Sequence, residues 1–86
     1  MKELEKTLKA LANKRRLAII KYLKNYREAS VGDVAESIKL SFRSTSKHLG
    51  ILSTVDIIEK EQRGPQIFYR LSRVQKPAAA KIIALI

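Results

Sequence analysis

The sequence predicts a mostly helical fold with one small β-hairpin, in the order α-α-α-α-β-β-α. Apolar residues recur every three to four positions through most of the chain, which is typical of amphipathic helices. The spacing becomes alternating between residues 57 and 72, on either side of Gly64 and Pro65, which is typical of two strands joined by a turn. The chain has 86 residues, so we expect a single domain with one small core.

The first two predicted helices are amphipathic. Residues 2–12 place three leucines on one face, and the simplest interpretation is that these leucines fill the core. Asn13 is a suitable N-cap for the second helix. The apolar residues of that helix are Leu17, Ile20 and Leu23, and its basic residues are Lys14, Arg15, Arg16, Lys21 and Lys24. We interpret most of these charges as a solvated face, and some remain candidates for phosphate contacts.

Residues 30–52 predict two short helices joined by a tight turn. Ser30 precedes Asp33 by three residues, the spacing of an N-cap serine with an acid in the first helical turn. Ser41 offers a second N-cap after the helical period breaks at 38–40. The second helix has an inward stripe of Phe42, Thr45, Leu49 and Leu52, and an outer face of Arg43, Ser44, Ser46, Lys47 and His48.

This pair of helices has the properties of a helix-turn-helix that enters the major groove of DNA, because its outer face offers hydrogen-bond donors and no carboxylate. Asp56 follows it at a position where a left-handed residue is usual. Strands are then predicted at 57–63 and 67–72, and a hairpin placed there is a wing. Pro77 suits the first turn of a final helix with an apolar surface. The predicted fold class is therefore a winged helix-turn-helix.

The composition limits the classes of function. Eighteen Lys and Arg against eight Asp and Glu give a net charge of +10, which favours a polyanionic partner: DNA, RNA or an anionic membrane surface. The absence of cysteine excludes disulfides and thiolate metal sites. The N-terminal residues lack the pattern of a signal peptide and the apolar runs are too short to cross a bilayer, so we expect a cytoplasmic protein with no membrane partner. A single histidine without an orienting carboxylate predicts no enzymatic activity.

Three segments, in this order of elements, resemble the ArsR/SmtB family of winged-helix transcriptional regulators. LKALANKRRLAIIKYL at 8–23 is similar to the family's opening segment, and QRGPQIFYRLS at 62–72 is similar to its wing. SFRSTSKHLGIL at 41–52 is similar to its recognition helix, in which Ser46, Lys47, His48 and Leu49 match the S-[RK]-H-L core. The resemblance covers most of the chain. It implies a sequence-specific regulator of transcription, expected to be a repressor, that binds double-stranded DNA at an inverted repeat.

The family's metal-binding motifs are missing from this sequence. Members that sense metals through thiolates carry Cys-Val-Cys where this chain has Ser30, Val31 and Gly32. Other members bind zinc through His and carboxylates of the last helix, but residues 77–86 contain no His, Asp or Glu. Because zinc needs several N, S or O ligands, we expect no metal site and no cofactor, and the effector, if any, stays unknown. Asp56 is a smaller departure, since the family usually has Gly there.

The chemistry of the outer face predicts a role for each residue in DNA binding. Arg43 is the best candidate for a bidentate contact to guanine. Ser44 and Ser46 are short donors suited to phosphates or base edges, and Lys47 is suited to a phosphate. His48 is either a DNA contact or a packed residue bonded to the backbone.

Three further residues belong to this expected DNA contact region or lie at its border. Phe42 is interpreted as a core residue or a staple at the helix entrance, with contact to a thymine methyl as the alternative. In the wing, Gln62 and Arg63 are candidate DNA contacts. Arg63 at the wing tip either enters a minor groove or is a solvated turn arginine.

The resemblance also implies a homodimer whose first and last helices form the interface. The expected interface residues are Leu4, Leu8 and Leu11, together with Ile82, Ile83 and Ile86. The rival interpretation is that the two terminal helices pack on each other within one chain. In the dimer, two recognition helices about 34 Å apart would occupy successive major grooves.

Two alternatives to DNA binding stay open. One is a basic winged helix that binds RNA or is associated with the ribosome, although the sequence shows no aromatic cluster for stacking unpaired bases. The other is a winged helix used only for protein contacts, which the high positive charge disfavours.

Overall fold

The computed structural model describes residues 1–86 and contains five helices and three strands. In chain order they are α1 (Lys2–Leu11), α2 (Lys14–Asn25), β1 (Ala29–Ser30), α3 (Val31–Ile38), α4 (Phe42–Thr54), β2 (Ile58–Arg63), β3 (Gln66–Leu71) and α5 (Pro77–Leu85). This arrangement confirms the predicted winged helix-turn-helix, with α3 and α4 as the helix pair and β2 and β3 as the wing. None of the helices has the length and apolar character needed to span a membrane.

The predicted N-caps are present. Asn13 Oδ1 accepts hydrogen bonds from the backbone N–H groups of Arg15 and Arg16, at 2.9 and 3.1 Å. Ser30 and Asp33 form a reciprocal capping box at the start of α3. Ser41 Oγ accepts from the backbone N–H at position 44, at 3.1 Å, at the start of α4. These side chains satisfy N–H groups that have no partner within their own helices.

Both helices of the pair end on a left-handed residue. Lys39 has a φ of 55° and Asp56 a φ of 62°. In each case the following backbone N–H, that of Leu40 or Ile57, donates to the carbonyl five residues earlier, at 3.0 and 3.1 Å respectively. This is the Schellman arrangement, which closes the last turn of a helix. The left-handed conformation of Asp56 was predicted, whereas that of Lys39 was not.

The sheet has three strands rather than the predicted two, in the order β1-β3-β2, and all pairings are antiparallel. Ala29 pairs with Tyr69 and joins the wing to the segment between α2 and α3. The turn also differs, because Gln66 pairs with Arg63 and leaves a two-residue turn at 64–65. Gly64 has a φ of +61°, as tight hairpin turns require at that position.

The core lies between the helices and one side of the sheet. Its completely buried large side chains are Ile19, Ile20, Val34, Leu49, Leu52, Ile57 and Ile58. α5 contributes the buried Ala79, and Ile82, Ile83 and Ile86 are half-buried against this core. α1 and α5 pack on each other within the chain, as the rival interpretation of the terminal helices expected.

The apolar predictions are confirmed only in part. Leu4 and Leu8 do not fill the core, since their side chains are 43% and 45% exposed. Leu11 is only 4% exposed, which confirms that it fills the core of the single chain, and this burial leaves no surface for the contact with a second copy that was also predicted for it. Phe42 is 63% exposed and is neither core nor staple, because it is the first residue of α4 and projects beyond the inward stripe.

Candidate nucleic-acid interface

α4 separates its side chains into an inner and an outer face, as its sequence period predicted. Thr45, Leu49 and Leu52 are completely buried. The exposed residues of α4 include Arg43, Ser44 and Lys47, whereas Ser46 and His48 are half-buried. Since the outer face carries donors and cations and no carboxylate, α4 offers a surface suited to phosphates and base edges.

Arg15 connects α2 to the turn between the two helices of the pair. Its Nη1 donates to the backbone carbonyl of Ile38, at 3.3 Å, near the end of α3. This bond pairs a helix C-terminal carbonyl with a cation, which is favourable for the helix dipole. The turn before α4 is therefore held against the start of α2.

Arg16 joins α1, α2 and α4. Its Nε donates to the carbonyl of Ala10, its Nη2 donates to the carbonyl of Lys9 at 3.2 Å, and its Nη1 lies 3.1 Å from His48 Nδ1. This structural role was not predicted, because most of the basic residues of α2 were expected to lie on a solvated face. The sequence feature that could have indicated this role is the end of α1, because the last carbonyls of a helix need donors from outside that helix.

His48 is a packed residue, but its partner is a side chain rather than the backbone. Because the Arg16 guanidinium only donates, the contact requires an unprotonated Nδ1. Burial lowers the pKa of His48 below its usual value, and the positive charges of Arg16, Arg15 and Lys47 lower it further. The imidazole is therefore neutral near pH 7.

Arg63 matches neither sequence interpretation, because its guanidinium is held by two carboxylates. Its Nη1 and Nη2 donate to the Glu28 carboxylate, and the Nη2 distance is 2.8 Å. Its Nε and Nη2 donate to Glu61, at 3.1 and 3.2 Å. The guanidinium also lies 4.8 Å from the centre of the Phe68 ring. These contacts raise the pKa of Arg63, chiefly through the hydrogen bond to Glu28, and lower the pKa of both carboxyl groups.

The other wing arginine is also paired, whereas the exposed Lys60 on β2 forms no ion pair. Arg70 donates to Glu59 at 2.7 Å and to Glu61 at 3.1 Å. The exposed Gln62 side chain bonds only across its own turn, from Nε2 to the carbonyl of Gly64 at 3.3 Å. Both wing arginines thus belong to an ionic network, whereas the cations on the outer face of α4 form no ion pair.

A second basic surface lies along α2. Tyr22 and Tyr26 stack with ring centres 4.5 Å apart and an angle of 28° between the rings. They line an open groove of about 530 Å³ between α2 and α3, together with Lys14, Arg15, Lys21 and Ser37. An aromatic cluster was not expected from the sequence, so this stacked pair was not predicted. No group of three or more His, Cys, Asp or Glu side chains is arranged to hold a metal ion.

Comparison with known sequences gives consistent matches. The profile described as "Bacterial regulatory protein, arsR family" matches residues 13–60. The transcriptional activator HlyU of Vibrio cholerae is 33% identical over 76 residues, which cover 88% of this chain and 69% of HlyU. The transcriptional repressor SdpR of Bacillus subtilis is 34% identical over 64 residues, covering 74% of this chain and 70% of SdpR.

Solved structures are similar over nearly the whole chain. Reduced HlyU from Vibrio cholerae superimposes with a TM-score of 0.80 at 31% identity and covers 96% of this chain and 83% of HlyU. The homodimeric winged helix-turn-helix DNA-binding domain of Mb0332 from Mycobacterium bovis superimposes with a TM-score of 0.82 at 27% identity. That match covers 98% of this chain and 74% of the Mb0332 fragment.

Proposed function

This chain belongs to the ArsR family of bacterial regulatory proteins, and we propose that it is a transcriptional regulator that binds double-stranded DNA as a homodimer. In this proposal α4 lies in the major groove and the dimer recognises an inverted repeat. The protein acts by binding and has no catalytic role.

The outer face of α4 is the observation that carries this proposal. Arg43 and Lys47 are one helical turn apart and exposed, and neither forms an ion pair within the chain. The guanidinium of Arg43 suits the two acceptors of guanine, and the Lys47 ammonium suits a phosphate. Ser44 and Ser46 lie on the same helix, and we propose them as further contacts with phosphates or base edges.

We assign smaller roles to the other predicted contacts. His48 positions α4 through Arg16, because its Nδ1 is already occupied. Gln62 at the wing turn is exposed and is a candidate phosphate contact. Arg63 is bound to two carboxylates, so it is not proposed as a contact of the resting protein.

The dimer is supported by apolar surface that the single chain leaves uncovered. Leu4 and Leu8 are exposed one turn apart on α1, and they line a shallow depression with Met1 and Ala12. On α5, Leu85 is strongly exposed and Ile82 and Ile83 are half-buried, as is Ile86 directly after the helix. We propose that residues 1–86 form a single domain. We also propose that α1 and α5 of one copy cover this surface on a second copy. Leu85 replaces Leu11 in the expected set of interface residues.

We propose repression as the mode of action. A dimer that occupies a promoter excludes other proteins from the same duplex by its volume alone, so repression requires no additional contact surface. The two relatives described above act in opposite directions, since SdpR is a repressor and HlyU an activator.

Selection of bound fragments from the source genome tests this function. We expect an inverted repeat whose half-sites lie about one helical turn apart, and an affinity that falls steeply with salt concentration. Expression of a reporter gene placed downstream of the recovered fragment should fall when the protein is present. Equal affinity for every duplex would contradict the proposal.

The groove between α2 and α3 favours one second candidate function, RNA binding. The stacked Tyr22 and Tyr26 beside Lys14 and Lys21 combine an aromatic surface with positive charge, which suits unpaired bases and their backbone. Tighter binding to RNA hairpins than to duplex DNA, lost in Tyr26→Ala and retained in Arg43→Ala, would establish this function instead.

A further inference from the structure

Arg63 is the most completely paired cation on the surface of the protein. Its guanidinium makes four hydrogen bonds to carboxylate oxygens, out of the five N–H groups that an arginine offers. The Phe68 ring covers it at 4.8 Å. Little of its hydrogen-bonding capacity is left for a phosphate.

The two carboxylates come from different parts of the fold. Glu61 lies two residues before Arg63 on the same side of β2, so it is a local partner. Glu28 is 35 residues away in sequence and lies immediately before β1, in the segment that leads from α2 to α3. The Glu28 pair therefore joins the end of the wing to the body of the domain.

Acidic residues are concentrated at this place in a basic chain. Of the eight Asp and Glu residues, Glu28, Glu59 and Glu61 surround the two wing arginines. Arg27 and Arg73 line the adjoining cleft of about 590 Å³, so further cations lie close to the network. Because these arginines repel one another, the neighbouring carboxylates stabilise the cluster.

We propose that Glu28 determines binding specificity by keeping Arg63 from binding DNA phosphates. This inference rests on the proposed DNA-binding function. A free arginine on the wing adds affinity for every sequence, because phosphate contacts carry no sequence information. An arginine paired with Glu28 adds none, so recognition depends more strongly on α4.

The experiment measures the salt dependence of binding to a random-sequence duplex. In Glu28→Gln, the glutamine keeps the size of the side chain and removes its charge, which releases the Nη1 side of the guanidinium. We expect tighter binding and a slope of log K against log salt that is more negative by about 0.9, the value for one added phosphate contact on duplex DNA. The ratio of affinities for the selected operator and the random duplex should fall.

Arg63→Gln tests whether Arg63 itself causes the change in salt dependence. In the otherwise unchanged protein it should leave the slope unaltered, because the arginine makes no phosphate contact there. In the Glu28→Gln background it should remove the whole gain in slope. Glu36→Gln is the matched control, because it removes one exposed carboxylate that forms no ion pair within the chain. It should change the slope by much less than Glu28→Gln.

Three outcomes would overturn the proposal. One is a weaker slope in Arg63→Gln alone, which would mean that Arg63 already contacts DNA. Another is an identical response to Glu28→Gln and Glu36→Gln, which would reduce the effect to net charge. The last is that Glu28→Gln binds the random duplex with the same affinity and salt slope as the unmodified protein. That outcome would leave the proposed DNA-binding function intact. If Glu28→Gln unfolds, Glu61→Gln releases the Nε side of the same guanidinium and must give the same direction of change.

Discussion

Three arginines of this chain have very different partners. Arg43 is exposed on α4, as its position in the helical period predicts. Arg16 bonds to His48, 32 residues away, and Arg63 bonds to Glu28, 35 residues away. Period and composition locate a side chain on a helix face, but they do not show which distant group it meets. The outer face of α4 was therefore predictable, and the pairing of Arg16 and Arg63 was not.

Arg43 and Lys47 should have distinguishable effects on DNA binding. Arg43→Ala removes the proposed bidentate contact to a base, so we expect it to lose about 1–3 kcal/mol of discrimination between the operator and a mutated half-site. Lys47→Ala removes the proposed phosphate contact, so it should weaken binding to all duplexes alike and make the salt slope less negative by about 0.9. Fluorescence anisotropy with operator and random duplexes measures both effects. A uniform loss in Arg43→Ala would assign that residue to the backbone of DNA.

His48 should make stability depend on pH. Its pKa is lowered in the folded state by burial and by Arg16, so the unfolded chain binds the proton more tightly. The free energy of unfolding should therefore be constant above the ordinary histidine pKa of about 6.5 and fall as the pH is lowered through it. Urea titrations between neutral and mildly acidic pH check this expectation.

The sequence supplies its own control for this pH effect. His48 is the only histidine, so one imidazole resonance in an NMR titration reports its pKa directly. His48→Gln lacks the titrating group and should lose less stability over the same pH interval. A midpoint at or above the ordinary value would contradict the role of Arg16 as a donor to Nδ1.

The ends of α3 and α4 were partly predictable from the sequence. Ser30 and Ser41 were predicted as N-caps from residue type and spacing, and both accept the expected backbone hydrogen bonds. β1 was not predicted, because a two-residue strand shows no alternation and exists only through its pairing with β3. Phe42 fits the apolar spacing of α4, yet the first position of a helix lies beyond the packed stripe.

The left-handed backbone conformations of Lys39 and Asp56, at the ends of α3 and α4, can be tested by substitution. A Cβ is crowded at positive φ, so Lys39→Gly and Asp56→Gly should each raise the free energy of unfolding by about 0.5–1 kcal/mol. The gain should be larger for Lys39, because Asp tolerates this conformation better. Asp56→Val should destabilise the protein, and urea denaturation of the three variants measures the order. A loss of stability in both glycine variants would contradict the assigned backbone conformations.

The whole molecule distributes its charge and its apolar surface unevenly. Unpaired cations lie on the outer face of α4 and along the groove beside α2, whereas the wing concentrates acidic residues. Exposed apolar side chains occur on α1 and at the end of α5, and Tyr26, Phe42 and Val74 are exposed elsewhere. The sequence predicted the net charge and the apolar terminal helices. It did not distinguish the buried Leu11 from the exposed Leu4 and Leu8, or predict that Leu85 is exposed, because helical spacing gives no information about the neighbouring elements.

The proposed dimer can be separated from the stability of the single chain. Leu8→Glu places a charge on a residue that is half-exposed in one copy, so the chain should still fold, with an unfolding transition as cooperative as that of the original protein. A carboxylate buried at the contact between two copies is strongly unfavourable, so the dimer should dissociate. Sedimentation equilibrium should then give half the original mass, and affinity for an inverted repeat should fall because one recognition helix binds alone.

Leu11→Ala is the matched variant on the same helix, because Leu11 is buried within one copy. It should lower the free energy of unfolding by about 2–5 kcal/mol, as a cavity in a core does. The two leucines should therefore separate assembly from folding, since Leu8→Glu changes the mass and Leu11→Ala changes the stability of each subunit. An unchanged mass in Leu8→Glu would exclude this face of α1 from the interface, and the recognition helices would then have to be brought together through another surface.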